Sequence, residues 1–219
     1  LAGRRRAAVR AARAAAPHGP ASPVILLLNG AEEALMQGAF GFMRASPWAA
    51  EVGAFINLEA TGADGPAAVF QASGSWATAA YAAGAPHPRG TVIAQAFFDA
   101  GLTPADTDFR VFAARADGHL PGIDAALILG AEVYHTHADA PGRLRPGTLQ
   151  AFGEQATGGA AGLSAALAAG AAMMEGGGAG EGGLEVVLGA PGDLGPYFDV
   201  QGRFLVTFSP RTAAVLHTV

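Results

Sequence analysis

A layered α/β domain is the fold this sequence predicts, and three observations predict it. Short aliphatic runs alternate with segments of helical spacing along most of the 219 residues. The run at 24–28 is continuous, as in strands covered on both faces. Carboxylates and histidines fall directly after such runs, at the strand ends where α/β sheets gather ligands. The length suits one such domain, or a domain with an appendage.

Residues 24–28 form the first predicted strand. Leu35, Met36, Phe40 and Met43 follow at helical spacing, up to Ser46-Pro47. Strands are predicted over 52–58 and 67–71, joined through the Asp64-Gly65-Pro66 turn. Helices are predicted over 76–83 and 92–100, with a short helical turn at 109–114. Pro121-Gly122 breaks the chain before a strand at 123–129. One long or broken helix is expected over 146–174, with Pro near its first turn. A Gly-rich linker at 176–183 precedes strand-like pieces at 184–188 and 204–208.

Composition excludes several classes. By count 53 residues are Ala and 32 are Gly, and all 13 basic residues are Arg. Without Cys there is no disulfide scaffold, zinc finger or thiol nucleophile, so a metal site must use His and carboxylates. A net charge of −5 without Lys is poor material for a nucleic-acid surface, and no nucleic-acid partner is expected. Five Arg and no acid occupy residues 1–16. That stretch reads as an Ala-rich helix with a solvated Arg face ending before Pro17, with a transit peptide as the competing reading. The best apolar window, 159–174, has 16 residues, mostly Ala and Gly. A membrane span needs about 20. The window reads as a helix whose small residues allow close packing.

Three strand ends carry chemistry. Asn29-Gly30-Ala31-Glu32-Glu33 follows the first strand. Two adjacent carboxylates at a strand-to-helix junction can approach one centre from different sides, or can be acids favoured at a helix N-terminus. Glu59 ends the second strand, where a carboxylate is costly unless paired with an Arg or placed on a metal. Tyr134-His135-Thr136-His137-Ala138-Asp139 follows the last strand of the block and reads as a ligand loop or a polar loop. Together these residues form a carboxylate-and-imidazole set suited to zinc hydrolysis. An H-E-x-x-H helix and a G-x-S-x-G elbow are both absent.

In order and spacing these blocks resemble the zinc aminopeptidase-like metallopeptidases of the membrane-bound endoplasmic reticulum type. The resemblance runs through the 24–33 block, Ser46-Pro47-Trp48-Ala49, the 55–60 block, and Ala85-Pro86-His87-Pro88. It continues through the 104–110 block, Pro121-Gly122-Ile123-Asp124, and Val133-Tyr134-His135-Thr136 with Asp139, covering roughly residues 1 to 170. It implies a three-layer sandwich around a mixed, mostly parallel sheet, and hydrolysis of peptides at a two-zinc centre. Glu32 matches the general base and Tyr134 the oxyanion-stabilising residue. Glu33 matches a zinc ligand, Glu59 a ligand of the other zinc, and His135 the last ligand. Asp108 and Asp139 are expected to orient ligands or the loops that bear them, and His87 and His137 to take no part.

The resemblance also implies that a His and a bridging Asp come from upstream. The expectation is therefore a fragment whose sheet is incomplete on its N-terminal side, with three of five ligands, poor zinc binding and little activity. Residues 1–174 are read as peptidase domain, 175–183 as linker and 184–219 as a segment leading towards a membrane region outside the chain. The domain would face the lumen of the endoplasmic reticulum, with the vacuolar membrane as the alternative. A glutaminyl cyclase-like single-zinc enzyme and a metal-free binding relative compete with the peptidase. The blocks around Asp108 and Ala85 favour the peptidase, and retention of Glu32 argues against a metal-free module.

Overall fold

The computed structural model describes residues 20–103, 105–115, 119–175 and 197–207. The readings made for residues 1–16, 176–183 and 184–188 lie outside these. The elements are α1 (Gln37–Ala45), β1 (Phe55–Ala60), β2 (Ala68–Ser73), α2 (Ser75–Gly84), α3 (Val92–Asp99), α4 (Asp108–Ala113), β3 (Gly122–Leu127), α5 (Thr148–Glu175), β4 (Tyr197–Val200) and β5 (Phe204–Thr207). Short 3-10 turns lie at Ala49–Glu51, Ala131–Val133 and Pro141–Arg143.

β3 is the central strand of a sheet ordered β1-β3-β2. Its six residues are all buried, and Ala, Ile and Leu fill most of it, as a strand covered on both faces requires. β1 pairs with it in parallel, Ile56 opposite Ile123 and Glu59 opposite Ala126. β2 pairs antiparallel, with a register shift between Val69 and Gln71. The sheet is therefore mixed, with one parallel and one antiparallel ladder among the described residues. It is not mostly parallel there.

Alternation sorts the side chains. Ile56, Ile123, Ala125, Val69 and Ala72 join Tyr81 and Ala85 of the α2 region in one core cluster. On the other face the Phe55 ring lies 5.4 Å from both Phe109 and Phe112 of α4. Phe55 occupies the space that a Cβ on Gly122 would need. Phe112 also joins Met36, Ala39 and Val111 in a second cluster with α1.

α2 and α5 approach through small residues, as the Ala/Gly window predicts. A Cβ on Gly84 would overlap the Gly158 carbonyl oxygen, and one on Gly162 would overlap that of Ala80. α5 is 28 residues long, but among the described residues no helix is long and apolar enough to cross a membrane.

The β4–β5 hairpin was not predicted as a pair. Gln201 and Gly202 both take positive φ at its turn, which suits a tight hairpin. Tyr197 and Leu205 enter the first core cluster. Asp199 pins the hairpin down, its backbone N donating to Gly90 O (2.9 Å) and its Oδ1 accepting from Gly90 N (3.2 Å).

One expected strand is absent. Residues 24–28 run outside any strand, and Val24, Ile25, Leu26 and Leu28 are exposed, the last at 71%. Only Leu27 of these packs against a core cluster. An aliphatic run becomes a buried strand only where a neighbour offers backbone partners and both faces are covered. The described residues offer this run neither. β1 likewise has one free edge among the described residues, with Leu58 exposed on it.

Candidate metal centre

The acidic residues sit in a turn, not in a helix. Met36 N donates to Glu32 O (2.7 Å) and Gln37 N to Ala31 O (3.1 Å), so 31–36 coil back on themselves before α1 begins. The first turn of α1 holds no acid, which removes the helix N-terminus explanation for Glu32 and Glu33. The turn is conformationally costly. Ala31, Leu35 and Met36 have positive φ, a region disfavoured for side chains with a Cβ by roughly 1–2 kcal/mol each. His135 has positive φ as well. Four of the six such non-glycine residues described thus belong to these two segments, and strain of this kind clusters at functional sites.

The parallel pairing of β1 with β3 puts the carboxyl ends of both strands on one edge of the sheet. The loop after β3 is held at its base by the Asp64–Leu129 bridge and by Arg145 Nε on Asp64 Oδ2 (2.8 Å). Within it the Thr136 hydroxyl donates to Val133 O (2.6 Å). This loop presents Tyr134 and His135, whose rings stack 3.9 Å apart. His135 Nε2 reaches Glu33 Oε1 at 2.5 Å, across 102 residues of sequence.

The remaining acids surround this pair electrostatically. Burial raises the Glu32 carboxyl above its ordinary range, and Glu59, Glu33 and Asp108 raise it further, against the pull of His135. Glu59 is also raised, first by burial, with its hydrogen bond from Asn57 opposing and Asp108 and Glu33 adding to the rise. Glu59 Oε1 accepts from Asn57 Nδ2 (3.0 Å), so the partner seen is an amide and not the Arg considered for it. Tyr134 is raised by burial and then by Glu33, Glu32, Glu59 and Asp139.

Asp108 is buried at the start of α4, and its Oδ2 accepts from Asn29 Nδ2 (2.6 Å). It thereby ties the segment that leads into the acidic turn to the helix. Its Oδ1 is buried without a hydrogen-bond partner among the described residues. Asp139 is exposed, and its charge reaches Tyr134. His137 is exposed. His87 lies elsewhere, its carbonyl accepting from Gln155 Nε2 (3.0 Å).

Among the described residues no three His, Asp or Glu side chains form a group that could hold a metal ion. Glu33 and His135 are in contact, and Glu59 acts on their surroundings through charge. In kind the set fits zinc: carboxylate and imidazole donors, crowded acids of one sign, and a phenol beside them.

Residue-type reasoning missed the polar network beneath Glu59. Asn57, Gln71, Thr107 and Asp124 meet on the α4 face of the sheet. An acid inside the aliphatic run of β3 was the available signal.

A family model described as Peptidase family M28 matches residues 6–158. Over 133 residues the chain is 44% identical to the putative endoplasmic reticulum metallopeptidase 1-A of Caenorhabditis elegans, covering 60% of this chain and 15% of that protein. It is equally identical over 133 residues to endoplasmic reticulum metallopeptidase 1 of Homo sapiens, covering 60% and 14%. A vacuolar membrane protease of Pyrenophora teres f. teres is 32% identical over 200 residues, covering 90% and 20%. The chain thus spans from 14% to 20% of the length of these relatives. No solved structure matches it.

Proposed function

The chain belongs to peptidase family M28, and from that premise we propose that it carries the reacting groups of a zinc-dependent, aminopeptidase-like peptide hydrolase. The observation that carries this reading is the Glu33–His135 contact, made between two strained segments at one sheet edge and ringed by Glu32, Glu59 and Tyr134. Helices against both sheet faces support a three-layer arrangement.

Glu33 and His135, which are in contact, would hold one zinc, and Glu59 would be a ligand of the other. Bound there, zinc supplies Lewis-acid polarisation of the scissile carbonyl and activates water near neutral pH. A two-zinc centre, as the family resemblance implies, draws on donors beyond these three. Glu32 acts as the base that takes a proton from water and returns it to the leaving amine. Its raised carboxyl pKa brings it closer to the range in which general bases work best. Tyr134, raised by burial and by the acids, keeps its proton and donates a hydrogen bond to the oxygen that gains charge. The substrate class is a peptide with a free N-terminus. The names of the relatives support a location at the endoplasmic reticulum, with the vacuolar membrane as the alternative; the lumenal side is what the family resemblance implies.

The test, in a version that carries the upstream His and Asp implied by the resemblance, is release of a reporter amine from an amino-acid amide, with zinc supplied. Turnover is expected to vanish on chelation and to fall roughly 100-fold or more in Glu32→Gln. Equal turnover in that variant refutes the base.

A further inference from the structure

Asp124 lies in the middle of β3 with none of its surface exposed. A buried carboxyl persists only where donors meet it, and three do. Thr107 Oγ1 (2.6 Å) and Gln71 Nε2 (3.1 Å) donate to Oδ2, and Asn57 Nδ2 (3.1 Å) donates to Oδ1. The same Asn57 nitrogen donates to Glu59 Oε1 (3.0 Å). An amide nitrogen has two N–H bonds in one plane, so aiming one aims the other.

We propose that Asp124 is a positioning residue for the metal centre, acting through the Asn57 carboxamide to set the orientation of the Glu59 carboxylate. This rests on the reading of Glu59 as a zinc ligand. The register places Asn57 beside Asp124 on the same sheet face as Glu59, two residues along β1. With Oε1 engaged by Asn57, Oε2 is the oxygen left for an ion. Thr107 and Gln71 hold Asp124 from its other side, so the orientation is inherited from the sheet and the residue before α4. Thr107 is followed by Asp108, which takes Asn29, so one dipeptide steadies both β1 and the segment carrying Glu32 and Glu33. Outer supports of this kind are worth roughly 10–100-fold in metal affinity.

The experiment is titration of the chain with zinc alone, near neutral pH, for Asp124→Val, Asn57→Leu, their double variant and Glu59→Gln. Asp124→Val and Asn57→Leu are each expected to weaken zinc roughly tenfold or more. The double variant is expected to be no weaker than either single one, because both break one bridge. Asn57→Leu keeps the test open should Asp124→Val not fold, since Asn57 is only half-buried. A merely structural role would lower the unfolding temperature and leave the zinc affinity of the folded protein unmoved. If Glu59→Gln weakens zinc and neither bridge variant does, the positioning role falls and the metal reading stands. Additive losses in the double variant also overturn it. An unchanged affinity in Glu59→Gln, or no zinc binding by the unsubstituted chain, brings down the metal reading and this inference with it.

Discussion

The α2–α5 side of the molecule and the segment from Val24 to Met36 are held by opposite means. On the first side glycines let two helices touch backbone to backbone, and Tyr81, Tyr197, Val69 and Ile123 are almost wholly enclosed. On the other, aliphatic side chains face solvent, three residues have left-handed backbone, and polar contacts such as Asn29 with Asp108 and Glu33 with His135 tie the segment down. The exposed Glu33–His135 pair contributes little by itself. The contrast teaches that Glu32 and Glu33 depend on the rigidity of neighbouring elements and not on packing of their own.

Four experiments break or sharpen that contrast. Among the substitutions the largest effect is expected from Gly162→Val, whose side chain meets the Ala80 carbonyl. It should cost roughly 3 kcal/mol and lower the melting temperature by about 6–12 °C. Gly30→Ala, with open space around its Cβ, should stay within about 0.5 kcal/mol. Equal effects would erase the distinction between the two sides.

Zinc should act on the loose side only. At about 100 times its dissociation constant it adds close to 2.7 kcal/mol. Amide exchange should slow in residues 29–36 and 130–136 while α2 stays as it was. His135→Ala should remove the slowing, and slowing spread evenly through the sheet would contradict the picture.

The pH response reports on the network between the sides. Burial pushes the Asp124 carboxyl up to about 8, against the donors facing it. The folded state therefore holds this proton more tightly than the unfolded chain, in which an Asp titrates near 3.9. This contribution is complete below about pH 4 and is lost as pH rises to about 8, by at most ~1.4 kcal/mol per pH unit. Asp124→Asn should flatten that decline in denaturant titrations at pH values inside this window. A parallel decline in the variant would remove Asp124 as its source.

The smallest effect belongs to Leu26→Ser with Leu28→Ser. Both side chains are exposed, so unfolding free energy should change by less than about 0.5 kcal/mol. Self-association in sedimentation should fall, because apolar surface is removed. A large loss of stability would show that the run is buried in solution.

Much of this was legible from residue order. β3, α2 and α5 lie close to their predicted spans because their signals are local: an aliphatic run after Pro-Gly, helical spacing, and a window of Ala and Gly. The acids and His135 were legible as residue types directly after aliphatic runs. Residues 24–28 misled because a continuous aliphatic run records what a strand would need, not whether a partner lies beside it. β4 escaped notice because four residues of mixed polarity carry no period. The bridge from Asp124 through Asn57 to Glu59 was illegible because it joins positions 67 residues apart.

Residue order and composition alone determined the alternation of elements, the absence of thiol chemistry and the restriction of any metal site to carboxylate and imidazole, because each follows from chemistry within a few residues. Tertiary structure decided that Glu33 meets His135, that Asn57 stands between Asp124 and Glu59, and that the acids crowd one sheet edge. The second follows from the parallel register of β1 on β3, and the Asn29–Asp108 bond ties the segment carrying Glu33 to the start of α4; no local period encodes either.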